Sequence, residues 1–343
     1  MGIIRENSGH KAQRTKSNPM RSLALLLLKL VGAGIAFALL FHFVDSRRVL
    51  GALKSANPLV AAFGVLVFLA GQVLAAARWQ GILRSQVIYI PLPGVLRMNL
   101  IGTFVGNFLP GMATGDLTKS ALLFRDFPEK RSFLVASVVY DRLLGLASTM
   151  LLAIFGTLFL GAMRNDWDFA PYLAVVALIF AVVMAGLASD AVLVRILCRL
   201  PNVLLVRCSV FAGEFQKLLC AHALLWRSFV LSLGFQVSWV VSQWIMLCAL
   251  FPHAPFVPVL AASPLSLIVA LLPISPNGLG LREGTFSFML QRFGIEPQVA
   301  VAAALLSLVP ILVSSVIGGL LLGSNNRLWR YTVPGPSEKD WLP

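Results

Sequence analysis

The sequence predicts an all-α integral membrane protein with about six full spans and two re-entrant broken-helix segments. These eight membrane segments form two inverted halves. The first observation is composition, because 58% of the 343 residues are hydrophobic and only 12% are charged. Soluble domains average about 25% charged residues, so the excess apolar surface must face lipid. The other two observations are six uninterrupted apolar stretches and a pair of apolar stretches interrupted by proline and glycine.

The six uninterrupted stretches are long enough to cross the hydrocarbon core, which requires about 20 mostly apolar residues. In chain order they cover 22–44, 58–77, about 137–162, 170–188, 228–251 and 298–322. The first exceeds the 7–15 apolar residues of a cleaved signal peptide, so we expect a retained helix. A basic cytoplasmic tail at 1–21 and a short one at 323–343 flank a single polytopic membrane domain, 22–322.

Two further apolar segments, 96–120 and 263–290, contain helix-breaking residues in their cores, at 97–116 and 264–284. Proline lacks a backbone N–H and glycine weakens a helix, so each break frees backbone polar groups. Within lipid these groups are costly unless protein or water satisfies them. We therefore expect both breaks to be enclosed by other helices or to line a hydrated cavity.

The distribution of Lys and Arg tests how the broken segments are threaded, because cytoplasmic loops accumulate these residues. If both segments cross fully, 12 Lys and Arg lie inside and 14 outside. If both are re-entrant, 20 lie inside and 6 outside, with cytoplasmic loops at 78–97, 115–131 and 190–227 and both termini in the cytoplasm. The re-entrant arrangement is therefore predicted.

This threading gives halves 22–162 and 170–322 opposite orientations, linked by the amphipathic, basic stretch 190–227. That stretch is predicted to form a cytoplasmic interfacial helix pair. Interrupted segments at corresponding positions of inverted halves indicate the binding site of a transporter. The breaks are therefore the predicted substrate pathway.

Residues at and beside the breaks are the predicted substrate-binding site. Half-helix N-termini favour an anionic group such as phosphate, and ionisable side chains near membrane depth are functional candidates because they are costly to insert. The candidates are Asn107, Pro110, Gly115, Asp116, Lys119, Asp141, Arg142, Pro276, Gly278, Gly280, Arg282 and Glu283. In the alternative reading, the pairs Asp116–Lys119, Asp141–Arg142 and Arg282–Glu283 merely neutralise one another or lie at the membrane interface in water.

The sequence lacks the residue patterns that metal binding, nucleotide binding or the common catalytic mechanisms require. The four cysteines and four histidines show no zinc-ligand spacing, and no Ser-His-Asp set, HExxH or P-loop occurs. We therefore expect no metal, no cofactor and no enzyme activity. The net charge of +14 is attributed to loops beside anionic lipid, so no nucleic acid is expected as a partner. Gly102 and Gly106 match GxxxG, which is typical of close helix packing.

At these motifs the chain resembles the membrane region of bacterial lysylphosphatidylglycerol synthases and the stand-alone flippase-like proteins related to it. The first motif is similar to the family's N-x-L-P-(x)-G-G-D-x-x-R pattern, through Asn107, Leu109, Pro110, Gly111, Gly115, Asp116 and Lys119. The second is similar to its P-x-P-G-G-L-G-x-R-E-G pattern, through Pro276, Gly278, Leu279, Gly280, Arg282, Glu283 and Gly284. Asp141 and Arg142 stand where the family has Glu-Arg, and Thr114, Lys119 and Asn277 depart from its patterns.

The resemblance implies movement of a phospholipid or lipid-linked anionic molecule between leaflets of the bacterial inner membrane. The family's soluble aminoacyl-transferase domain has no counterpart here, so lysylphosphatidylglycerol synthesis is not implied. Membrane lipids are the predicted partners, and a lipid with an anionic headgroup is the predicted substrate. A homo-oligomer is possible on this reading. Two alternatives stay open: a membrane-embedded transferase with Asp116 or Glu283 as general base, and a non-catalytic partner in envelope-lipid synthesis.

Overall fold

The computed structural model describes residues 46–108, 114–164, 202–271 and 278–323, together with the single positions 174 and 178. The regular elements of these residues are all helices, which confirms the predicted all-α class. In chain order they are α1 Ser46–Ser55, α2 Pro58–Arg84, α3 Leu92–Phe108, α4 Thr114–Leu123, α5 Arg131–Arg164, α6 Asn202–Cys220, α7 His222–Leu250, α8 Phe256–Ala270, α9 Leu281–Arg292, α10 Pro297–Leu306 and α11 Val309–Gly323. A short 3₁₀ helix at Pro128–Lys130 precedes α5.

Four segments of the described chain are long and apolar enough to cross a membrane, and they coincide with four of the six predicted spans. They are Pro58–Arg84, Pro128–Met163, His222–Leu250 and Pro297–Gly323. The last consists of α10 and α11, separated by a turn at residues 307–308. The chain is therefore a multi-pass membrane protein. The predicted spans 22–44 and 170–188 lie outside the described residues apart from positions 174 and 178, so the arrangement of eight segments stays a prediction.

Helix α2 begins at a cap and ends later than the sequence predicts. The Asn57 side-chain oxygen accepts hydrogen bonds from the backbone N–H groups of Leu59 and Val60, which satisfies donors that the first helical turn leaves unpaired. The predicted span ends at residue 77 and assigns 78–97 to a loop. That assignment is wrong at both ends of the range, because α2 continues to Arg84 and α3 begins at Leu92.

The burial of four Arg and Lys side chains changes the positive-inside count. Arg78, Arg97 and Lys119 are assigned to loops by the sequence, but all three are buried side chains of helices. Arg282, assigned outside, is buried as well. Without these four residues the division changes from 20 against 6 to 17 against 5, so the bias keeps its direction.

Each broken segment folds as two short helices that pack on each other: α3 and α4 form the first hairpin, α8 and α9 the second. Their arms have 17, 10, 15 and 12 residues. At 1.5 Å per residue the longest arm covers about 25 Å, which is less than a hydrocarbon core of about 30 Å. Arms of this length agree with the predicted re-entrant segments. The tips at 109–113 and 272–277, which contain Pro110 and Pro276, lie outside the described residues.

Glycines bring the two arms of the first hairpin into contact. A Cβ atom on Gly115 would lie 2.3 Å from the Gly102 carbonyl oxygen, and Gly106 also lies against Gly115. Lys119, one turn further along α4, lies against Gly102, so the arms run antiparallel. The close packing predicted from the GxxxG match at Gly102 and Gly106 is therefore confirmed.

The helices of the two predicted halves pack in corresponding pairs. Helices α2 and α7 lie antiparallel, with Gly64 against Met246 and Gly71 against Ser238. Helix α5, which ends the first half, packs against α8 of the second hairpin, while α11, which ends the second half, packs against α3 of the first hairpin. The short connecting helices follow the same pattern, since α6 packs on α5 and α1 on α10.

A glycine lies at each contact between a final span and a hairpin. A Cβ atom on Gly156 of α5 would lie 2.6 Å from the Leu260 carbonyl oxygen of α8. The corresponding atom on Gly318 of α11 would lie 2.1 Å from the Leu100 carbonyl oxygen of α3. At both places the backbones approach more closely than any side chain would allow, so the spans and the hairpins form one packed unit.

The described part of the amphipathic stretch 190–227 is helical, while 190–201 lies outside the described residues. Phe215 and Leu218 of α6 are buried against the core that contains the end of α2 and the start of α5. Lys217 is exposed and pairs with Glu214 at 2.7 Å. One apolar face and one charged face agree with the predicted amphipathic character.

Candidate functional site

Three charged side chains meet where the first hairpin packs against α5. Asp116, in the first turn of α4, pairs with Lys119 (Oδ1 to Nζ, 2.9 Å) and also with Arg142 of α5. The positive end of the α4 dipole favours a carboxylate at this place. Lys119 Nζ also lies 5.8 Å from the centre of the Trp79 ring, a cation–π distance. This cluster therefore holds two cations around one carboxylate.

A second buried ion pair connects α2, α5 and α7. Arg78 Nε donates a 2.6 Å hydrogen bond to Asp141 Oδ1, and Arg78 Nη1 donates one of 2.6 Å to the Ser232 hydroxyl. Ser232 in turn shares a 2.7 Å hydrogen bond with Ser148. Arg78 and Asp141 are 6% and 7% exposed, so the pair is shielded from water. The network joins two helices of the first half to one of the second.

Sequence reasoning missed Arg78, although the signal was present. Trp79, Ile82 and Leu83 are apolar and directly follow the predicted span. They extend the apolar helix by two further turns, and all three are buried. An arginine that is followed by further apolar residues of the same helix is typical of a helix interior. A buried arginine at such a position requires an acidic partner.

The second hairpin carries a local ion pair at the start of α9. Arg282 Nη2 and Nε lie 2.6 and 2.9 Å from Glu283 Oε1, while Glu283 Oε2 accepts a 2.7 Å hydrogen bond from the Gly280 backbone N–H. Arg282 and Glu283 are 7% and 1% exposed. The Arg282 guanidinium also lies 5.8 Å from the centre of the Trp239 ring. Glu283 therefore both neutralises Arg282 and caps the helix.

A cavity of about 500 Å³ lies between the two hairpins and the helices that surround them. Its charged lining residues are Arg142, beside the first hairpin, and Arg282, at the start of α9. The remaining lining residues are mostly apolar; they are Phe68, Thr103, Leu143, Leu146, Thr149, Phe235, Gln236, Trp239, Leu267, Ile268, Leu271 and Ile311. The structure thus places one predicted cation from each half on the same cavity.

Of the remaining predicted site residues, Asn107 and Gly115 lie at contacts between helices, and both prolines lie outside the described residues. Asn107 Nδ2 donates a 2.6 Å hydrogen bond to the Ser315 hydroxyl of α11, which joins the first hairpin to the last span. Gly115 lies at the contact between the hairpin arms. Pro110 and Pro276 belong to the hairpin tips outside the described residues.

The contacts that the neutralisation alternative requires are present for two of the three pairs. Asp116 pairs with Lys119 and Glu283 pairs with Arg282, as that reading requires. Asp141 and Arg142 do not pair with each other. Instead, Asp141 pairs with Arg78 of α2, while Arg142 pairs with Asp116 of α4.

Gly278→Ala should destabilise the protein more than Gly294→Ala. Both glycines have positive φ, at +71° and +87°, so an alanine at either position costs about 1–2 kcal/mol of backbone strain. At Gly278 the new Cβ would also lie 2.4 Å from the Ala270 Cβ, whereas nothing lies within 4 Å at Gly294. Thermal unfolding in detergent measures the difference, and equal melting temperatures would contradict the close approach of α8 at Gly278.

Comparison with known proteins identifies the family. Residues 25–319 match the family described as the lysylphosphatidylglycerol synthase TM region. A UPF0104 membrane protein from Pyrococcus horikoshii is 21% identical over 327 residues, which covers 88% of this chain and 97% of the relative. UPF0104 membrane proteins from Methanocaldococcus jannaschii and Methanothermobacter thermautotrophicus are 20% and 22% identical, covering 80% and 86% of this chain and 88% and 92% of the relatives. Since the matched residues include both motifs and overlap every described span, the chain belongs to the lysylphosphatidylglycerol synthase TM region family.

Proposed function

We propose that the protein is a flippase-like transporter, which moves a phospholipid or a lipid-linked anionic molecule between leaflets of the bacterial inner membrane. The observation that carries the proposal is the cavity of about 500 Å³, where Arg142 and Arg282 border a largely apolar wall. A lipid has an anionic headgroup and apolar chains. A cavity with a few convergent polar groups in an apolar lining fits both parts.

The two arginines differ in their access to the cavity. The Arg142 side chain is 45% exposed, whereas that of Arg282 is 8% exposed and held by Glu283. Guanidinium groups bind phosphate oxygens through two parallel hydrogen bonds, so arginine is well suited to a phosphate headgroup. In this proposal Arg142 makes the first contact with the headgroup, and Arg282 supports it from deeper in the wall. Asp116 and Glu283 hold these two cations in place.

The final span of each half packs against the hairpin of the other half, and this reciprocal packing supports an inverted repeat as the framework for transport. A two-fold relation between the halves would produce reciprocal contacts of the kind seen between α5 and α8 and between α11 and α3. It would also make α2 and α7 antiparallel neighbours, as they are. Repeats of this kind alternate access by moving one half against the other around a central site. The proposal includes cytoplasmic termini, as the Lys and Arg distribution favours.

Arg282→Glu should reduce lipid translocation to the rate of protein-free vesicles, because the new carboxylate repels an anionic headgroup. The measurement uses proteoliposomes with fluorescent phosphatidylglycerol, whose outer-leaflet fraction is bleached by dithionite over time. Arg282→Glu also places a second buried acid beside Glu283, which can prevent folding. The double variant Arg282→Gln/Glu283→Gln removes the Arg282 cation as well, but it leaves no charge at either position. We expect this variant to be monodisperse and inactive.

Arg292→Glu is the matched control, because it makes the same charge reversal on the same helix. Arg292 is exposed at the end of α9, where its guanidinium lies 5.5 Å from the Phe288 ring and away from the cavity. Translocation should continue in this variant. Wild-type translocation by a monodisperse Arg282→Gln/Glu283→Gln protein would overturn the proposed role of the cavity.

A further inference from the structure

We infer that two hydrogen-bonded pairs at corresponding positions of the halves hold the two hairpins alternately: Asn99 with Gln72 in this structure, and Ser263 with Gln236 when the cavity closes. This inference rests on the proposed transport function and adds the contacts that switch the pathway between two states. It comes from a place where the otherwise corresponding halves differ.

The long span before each hairpin and the first hairpin arm correspond between the halves at a separation of 164 residues. Helices α7 and α8 begin 164 residues after α2 and α3, respectively. In the first half, the Gln80 Nε2 donates a 2.7 Å hydrogen bond to the Ile90 carbonyl. In the second half, the Trp244 Nε1 donates one of 2.9 Å to the Ala254 carbonyl, and both residues lie 164 positions later. The entry to each hairpin is therefore fixed to the preceding span in the same way.

The same separation relates Gln72 to Gln236 and Asn99 to Ser263, but these two pairs differ. The Asn99 Nδ2 donates a 3.0 Å hydrogen bond to the Gln72 Oε1, which joins α3 to α2. The Ser263 Oγ of α8 is buried, and among the described residues it has no hydrogen-bond partner. The first hairpin is thus bonded to its span at this place, whereas Ser263 leaves the equivalent bond of the second hairpin unformed.

Gln236 is held weakly in its present position. Its Nε2 donates a 3.3 Å hydrogen bond to the Gly145 carbonyl of α5, which is longer than usual. The hydroxyls of Ser148 and Thr149 donate to the same carbonyl at 3.1 and 2.8 Å, so the acceptor is shared. Gln236 also lines the cavity. The cavity therefore lies beside the position where the first half has its hydrogen bond.

A proline directly after Ser263 makes α8 the hairpin arm that bends more easily. Pro264 lies inside α8, and it provides no N–H for the Leu260 carbonyl four residues earlier. The corresponding residue of α3 is Leu100, which keeps its N–H. Sharp bends in helices are typical of prolines. A bend that brings α8 towards α7 places the Ser263 hydroxyl where it can donate to Gln236.

Formation of the second pair would close the cavity at its present place. Gln236 of α7 and Leu267 and Ile268 of α8 all line the cavity, so a bond between Ser263 and Gln236 draws these walls together. When access alternates between inverted repeats, each half takes the arrangement that the other had. The bond that Ser263 gains then offsets the bond that Asn99 loses, which keeps the two states close in free energy.

Maleimide labelling of a cysteine in the cavity measures the balance between the two states in the full-length protein in detergent, without requiring transport. The reporter is Ile268→Cys in a parent protein whose native cysteines are replaced by alanine. Asn99→Ala removes the bond of the present state, so labelling should slow about twofold to fivefold, as expected for one hydrogen bond. Ser263→Ala removes the bond of the closed state, so labelling should be at least as fast as in the parent. The double variant Asn99→Ala/Ser263→Ala should return to the parental rate.

Ser55→Cys is the matched reporter, because Ser55 is exposed at the end of α1, and its labelling should be equal in all four proteins. Gln72→Leu removes the first pair from the α2 side and takes the place of Asn99→Ala if that variant is not monodisperse. Equal labelling of Ile268→Cys in the parent and both single variants, or shifts in the same direction, would overturn the inference even where dithionite bleaching shows transport. Opposite shifts in a protein that moves no labelled lipid would support the two pairs and overturn the proposed function.

Discussion

Arg78→Met should lower the free energy of unfolding by about 3–5 kcal/mol, because it leaves the Asp141 carboxylate buried without its cation. Asp141 is 7% exposed, and its bond to the Arg78 Nε is 2.6 Å long. The same guanidinium donates to Ser232 of α7, so the substitution also removes a polar link between the two halves. Unfolding of the purified protein in mixed detergent and SDS micelles measures the change.

A double variant separates the buried charge from the packing of the arginine. Arg78→Met/Asp141→Leu removes both charges, and it should recover most of the lost stability because apolar replacements of a buried ion pair are tolerated. Arg84→Met is the matched control, since Arg84 is exposed at the last residue of α2, and its effect should stay within about 0.5 kcal/mol. Wild-type stability of Arg78→Met would contradict the buried pair.

Gly318→Ala should destabilise the contact between the last span and the first hairpin by about 2–3 kcal/mol. The added Cβ would lie 2.1 Å from the Leu100 carbonyl oxygen and 2.6 Å from its carbonyl carbon. These are backbone atoms of α3, so no side-chain rotation relieves the clash and the two helices must separate. The same unfolding measurement in micelles detects the loss. Because α3 carries Asn107, which donates to Ser315 of α11, we also expect slower lipid translocation.

Gly81→Ala is the control for the alanine substitution itself. A Cβ atom at Gly81 of α2 meets nothing within 4 Å, so alanine there should be neutral or stabilising by up to about 1 kcal/mol through its helix propensity. A Gly318→Ala variant as stable as Gly81→Ala would show that α3 and α11 lie further apart than the structure places them.

The spans and the breaks could be predicted because they depend on local properties of the chain. Hydropathy over about 20 residues located the four spans of the described chain, since lipid acts on each segment separately. Proline and glycine act on the backbone within one turn, so the two interrupted segments were visible before their packing was known. The hairpins follow from those breaks, and Gly115 and Gly278 lie at their closest approaches.

Helix ends and buried charges could not be read from a local window. Helix α2 runs past residue 77 because Asp141 and Ser232 satisfy the Arg78 guanidinium. These partners lie 63 and 154 residues away along the chain, so an arginine that a hydropathy window assigns to a loop becomes part of the core.

The sequence by itself determined a multi-pass helical membrane protein, its two interrupted segments and the family to which it belongs. Only the tertiary structure decided that Asp141 pairs with Arg78, that Arg142 pairs with Asp116, and that Arg142 and Arg282 line one cavity. Successive side chains on a helix point about 100° apart, so the adjacent Asp141 and Arg142 face different neighbours. Which neighbours they meet depends on how segments far apart in the chain pack together.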